Sequence, residues 1–142
     1  MADPRAVINW NSVGQGDYVT LKIDNSTITY SSTVAYGSSV VGRAVTMSTD
    51  DTVALAADGE AILGRLEKVT SDNFCVVKWK GAVKLPGGTG ATLTLGAKIV
   101  GDLLVADKGY VQAAAAGTAA HHVVSRGFIV NNDDTDNVVI LL

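Results

Sequence analysis

In the stretch STDDTVALAADGEAILGRLEKV, residues 48–69, Asp50, Asp51, Asp58 and Glu60 stand close together beside a run of valine, leucine and isoleucine. Acid–base or glycosidic chemistry needs two carboxylates held by rigid elements across one cleft, with one environment raising a pKa. Here both pairs fall on turns. Asp58-Gly59 is a hairpin signal, in which the glycine tolerates positive φ and the aspartate bonds nearby backbone, and Asp50-Asp51 lies between two strand-like runs. Neither pair has the D-x-[DN]-x-[DN]-G spacing of a calcium loop. The acids therefore read as turn residues.

The other candidates thin out in the same way. NNDDTDN, residues 131–137, offers Asp133, Asp134 and Asp136 as hard oxygen ligands for a cation, but lacks the glycine and distal glutamate of a calcium loop and reads as a solvated turn. His121 and His122 are adjacent, so on a strand their rings point to opposite faces and cannot share a metal; a surface pair is expected. No G-x-S-x-G occurs, and the lone Cys75 sits inside FCVVKW, where a small buried hydrophobe is expected. The glycine-rich LPGGTGAT lacks the Lys-Ser/Thr of a P-loop, and VGQGDY lacks the third glycine of a dinucleotide fingerprint. The expectation is a protein that is not an enzyme, with no catalytic residue, cofactor or metal.

Composition narrows the partners. The net charge is -3, with Lys and Arg scattered singly, so the basic stripe of a nucleic-acid binder is missing. Hydrophobic residues reach 47% and mean hydropathy is +0.26, yet no apolar run approaches the roughly 18 residues of a membrane helix, and no membrane partner is expected. MADPRAVINW has no apolar stretch of signal-peptide length, which points to synthesis in the cytoplasm. One cysteine cannot form an intramolecular disulfide. At 142 residues the chain fits one domain able to bury roughly 70% of its unfolded surface, so packing or assembly must hold it.

The elements that would position any site are short and extended. Val19, Leu21 and Ile23 share one face of a strand within Asp17–Asp24; beyond Gly37 come VVGRAVTM, TVALA, AILGRLEKV, FCVVKWKG, AVKL, ATLTLGAKIVGD, YVQA, HHVVSRGFIV and VVILL, assigned the core. The clearest alternation, Leu93, Leu95, Ala97 and Ile99 against Thr92, Thr94, Gly96 and Lys98, predicts a half-buried strand. Turn chemistry at ADGE, TSDN, PGGTG, DKG and NNDDTDN separates these runs. Ile62, Leu63, Leu66 and Val69 also fit a helical face with Asp58 as N-cap, but Gly64 would cost a helix about 1 kcal/mol, so a strand is favoured. QAAAAGTAAHH is a loop or short helix. Trp79, alternating with Lys78 and Lys80, is expected to pack inward.

The fold class that follows is mainly β: a small antiparallel barrel or sandwich with at most short helices and an extended N-terminal arm. The arm, residues 1–36, is turn-rich and carries one strand; residues 37–142 form the β domain. Trp10 has little local sequence to bury it, so it either packs on its own domain or anchors elsewhere. With Pro4, Arg5, Val7 and Ile8 it makes the candidate contact of the arm, with another subunit or with a partner.

The order of pieces in VVGRAVTMSTDDTVALAADGEAILGRLEKV, VVKWKGAVKLPGG, LTLGAKIVGD, GYVQAAAAGT and RGFIVNNDDTDNVVILL resembles the capsid decoration, or cement, proteins of tailed bacteriophages, of the β-tulip type to which the lambda head decoration protein belongs. The resemblance covers about three quarters of the chain and is one of layout, since short strands and glycine turns recur in many β folds. It implies a β-tulip-like domain, a homotrimer, the major capsid protein as partner and as a candidate for the contact of the arm, a place on the outer surface of the expanded head in the virion, and reinforcement of the shell against internal DNA pressure. Other self-assembling phage subunits of the tail tube or head completion are an alternative. A carbohydrate-binding sandwich is disfavoured by the scarcity of aromatics.

Overall fold

The computed structural model describes residues 17–89, 92–102, 104, 106, 108–115 and 117–142. Its first body is a closed five-stranded barrel of β1 (Tyr18–Ile23), β2 (Ala44–Thr49), β3 (Thr52–Leu55), β4 (Gly64–Val69) and β5 (Phe74–Lys78). Around the barrel the order is β1-β3-β2-β4-β5, and β1 closes it, antiparallel to β5 from Tyr18↔Lys78 to Lys22↔Phe74 and parallel to β3 at Lys22↔Thr52 and Ile23↔Val53. The other pairings are antiparallel. Inward alternation fills the barrel with Ile23, Val45, Val53, Leu55, Leu66, Val69, Cys75 and Val77.

The strand assigned to the arm is thus a stave of the barrel, and the residues after it belong there too. Asp24 gathers the loop behind β1: its carboxylate accepts from the backbone N–H of Ser26 (3.2 Å), Thr27 (2.9 Å) and Ile28 (2.9 Å) and from Thr27 Oγ1 (2.7 Å). Thr27 Oγ1 in turn accepts from Leu55 N–H on β3 (2.9 Å), and Ile28 is wholly buried in the barrel core. A boundary at residue 36 does not separate arm from body among the described residues.

In the second body β6 (Ala82–Leu85), β10 (Val138–Leu141) and β9 (Phe128–Asn131) form a three-stranded antiparallel sheet, and β7 (Ile99–Gly101) pairs with β8 (Val111–Ala113). Val83, Leu85, Ile99, Val111, Ile129, Val138 and Ile140 pack with Ala44, Ala56 and Ile62 into a second core against the barrel. One helix among the described residues, α1 (Ala119–Val124), carries both histidines; the pair therefore sits on a short helix instead of a strand. Arg126 rivets the bodies together, its guanidinium donating to Leu63 O (2.9 Å) ahead of β4 and to Trp79 O (2.8 Å) behind β5. Trp79 itself lies just past β5 and is only half-buried, because its main chain is held by Asp17 and Arg126 while the barrel interior ends at Val77.

Two patterns mislead locally. Leu93–Lys98 is not a strand: Gly96 turns the chain at φ +78, Ala97 N–H bonds Thr94 O, and only Ile99–Gly101 enters a ladder. Leu66 and Val69, three apart as on a helix, both point into the barrel because the register of β4 shifts between Leu66 and Lys68, a bulge that lets Glu67 and Lys68 share the outer side.

Candidate functional site

Asp50-Asp51 and Asp58/Glu60 stand on separate turns at opposite ends of β3. Asp51, at φ 57, makes the β2–β3 turn with Asp50, beside an open depression lined by Met47, Ser48 and Thr49. Asp58 and Gly59 turn the chain after β3. Glu60 Oε2 accepts from Ala57 N–H (2.9 Å), and the turn docks on β7 through Gly59 N–H to Gly101 O (3.1 Å) and Gly101 N–H to Glu60 O (3.0 Å). A side chain at Gly101 would run into the Ala57 carbonyl, so glycine is required for this approach. The four residues of β3 hold the two acidic groups roughly 13 Å or more apart, beyond the reach of paired-carboxylate catalysis.

The remaining sequence candidates are equally tied into the fold. Asp134 caps the turn Thr135–Asn137, accepting from Asp136 N–H (3.0 Å) and Asn137 Nδ2 (2.9 Å); these bonds hold its carboxyl below the ordinary range. Asn131 Oδ1 accepts from Asp133 N–H (2.9 Å). Among the described residues no group of three or more His, Cys, Asp or Glu side chains could hold a metal ion. Cys75 is buried in the barrel, and burial pushes its thiol up to about 12. His121 Nδ1 accepts from Ala115 N–H (3.2 Å) while its ring lies over Gly59. Gly87 and Gly88 are buried, with Gly88 against the buried Asp102 carboxylate, an arrangement opposed to phosphate. Gly14 and Gly16 of VGQGDY, and the arm contacts Pro4, Arg5, Val7, Ile8 and Trp10, lie outside the described residues.

What stands out on the surface is a face. In the β6-β10-β9 sheet Val83, Leu85, Ile129, Val138 and Ile140 point to the core, so Ala82, Lys84, Phe128, Val130, Val139 and Leu141 point away, together with Asn131, which a bulge sets opposite Val139. Phe128 is 50% exposed, Val130 52% and Leu141 49%; Phe128 and Leu141 are direct cross-strand partners. Leu95, 58% exposed, stands on the neighbouring loop, which is bonded to β9 through Gly96. Lys84 is the one charged residue among these seven, and Asn131 the one polar amide. The sequence carried a signal for this surface that reading for alternation passed over: FIV and VVILL are apolar without a break, the mark of strands with both faces buried.

Both flanks of this sheet are occupied. Gly81 and Leu142 exchange both backbone bonds (3.3 and 2.9 Å), which turns the carbonyls of Ala82 and Lys84 away from β10; they accept from Lys78 Nζ (3.0 Å) and Arg65 Nε (2.9 Å). On the other side Ile129 N–H bonds Ala97 O (3.0 Å) and Ile129 O accepts from Gly96 N–H (2.8 Å). These contacts hinder the addition of a strand and leave the face of the sheet as its open surface.

No family model, curated protein or solved structure matches this chain.

Proposed function

We propose that this chain is a decoration protein of a tailed-phage capsid, a structural subunit that trimerises, seats on the outer surface of the expanded head through the major capsid protein, and braces the shell against the pressure of packaged DNA. The observation that carries the reading is the apolar outer face of the β6-β10-β9 sheet, which suits a subunit that works within a protein assembly. The layout of strands and turns in the sequence supports the same reading, and the mainly β architecture with a closed barrel agrees with it. The work of such a protein is adhesion, and three weak sites per trimer give avidity.

The test is protective. Empty expanded heads incubated with purified protein are heated alongside bare heads, and shell rupture is followed by light scattering. Decorated heads are expected to survive to a higher temperature; identical rupture curves at saturating protein refute the function.

A further inference from the structure

The surface left apolar by the fold needs an occupant, and we infer that it is a second copy of this chain: the outer face of the β6-β10-β9 sheet is the contact between subunits. Four large side chains, Phe128, Val130, Leu141 and Leu95, stand about half exposed. At roughly 100 Å² each, with Val139 and Ala82 between them, they offer an apolar patch on the order of 450 Å². A stable protein contact covers about 800 Å² per partner and is roughly 56–65% apolar, so its apolar part is on the order of 450–520 Å². The patch has the size that a subunit contact requires, with the polar residues around the sheet left to form its rim.

Chemistry favours self over a foreign partner. A surface that meets its partner only after both are made resembles ordinary protein surface, whereas contacts between copies are more apolar and poor in charge. This face has one charged residue, Lys84, and one polar amide, Asn131, among seven. Occupied flanks stop copies from joining edge to edge into an open-ended ribbon, leaving face packing, at the ordinary separation of about 10 Å between sheets. The inference rests on the proposed function only for its stoichiometry: in a trimer three such faces turn toward the common axis.

The experiment is light-scattering mass on the full chain, without capsids, for the wild type and for the double variant Phe128→Lys with Leu141→Glu. These two residues are cross-strand partners, so opposite charges placed there suit the folded sheet and oppose only the contact. Phe128→Thr with Leu141→Thr is made in parallel in case the charged pair does not fold, and Met47→Glu, on the exposed end of β2, is the control. Expected is an oligomeric wild type and control, and double variants of unchanged circular dichroism whose mass falls to that of one chain, 14.6 kDa. A folded double variant that keeps the wild-type mass, or a wild type already at 14.6 kDa, overturns the inference. A wild-type dimer that the double variant splits supports the face and counts against the trimer. Failure of the protein to protect heads leaves this readout untouched.

Discussion

Replacing Asp24 by alanine removes the acceptor for three backbone N–H groups and for the Thr27 hydroxyl, all within 3.2 Å. A lost side-chain cap costs about 1 kcal/mol and up to about 2, and bonds to a charged acceptor stand at the upper end. Thr27 Oγ1 keeps its bond from Leu55 N–H, and Asp24 is partly exposed, so water takes over some of the freed donors. The expected loss is about 2 kcal/mol, or roughly 6 °C in melting temperature for a chain of this length. Burial alone would raise the Asp24 pKa, but the bonds from Thr27, Ile28 and Ser26 outweigh it and hold the carboxyl below its usual 3.8. Because the folded pKa is the lower one, the carboxylate's contribution is complete above about pH 4 and is lost as pH falls through the folded value. Urea unfolding of wild type and Asp24→Asn at a series of pH values checks this: the gap between them should be constant from about pH 8 to 5 and close below about pH 4. An Asp24→Ala loss under about 0.5 kcal/mol, or a gap that stays open in acid, refutes the reasoning.

Arg126→Ala strands the carbonyls of Leu63 and Trp79 between the two bodies and should lower the unfolding free energy by about 3 kcal/mol, with Arg126→Lys recovering less than half; a loss below about 1 kcal/mol in urea denaturation shows that the rivet is not needed. Cys75, with its thiol at about 12 inside the barrel, should resist a thiol reagent at pH 8 until urea opens the protein; fast labelling of the native chain contradicts the burial. Deleting residues 1–16 should leave the fold and the number of chains per oligomer unchanged and weaken binding to heads severalfold; equal decoration by the truncated protein removes the arm from the contact.

Local chemistry made most of the barrel legible. Val19, Leu21 and Ile23 alternate because β1 has one face inward, and ADGE and TSDN turn the chain where their Asp, Asn and Gly residues invite it. Closure did not show locally, since β1 pairs with β3 and β5 across long stretches of chain and one of those pairings is parallel. The helix-like spacing of Leu66 and Val69 came from a bulge that no periodicity predicts. Leu93–Ile99 alternates without a strand because Gly96 adopts positive φ, and the loop bonds instead along β9. Asp50, Asp51, Asp58 and Glu60 stand on turns, as their Asp-Asp and Asp-Gly neighbours declare in the sequence. The apolar face was missed because reading each strand for one buried side ignores strands that are apolar on both.

Sedimentation with capsids tests the functional claim most directly. Purified protein is mixed with expanded and with unexpanded empty phage heads, and the pellets are assayed. A decoration protein should pellet saturably with the expanded heads, at three chains per three-fold position, and stay behind with the unexpanded ones; protein left in the supernatant of both contradicts it.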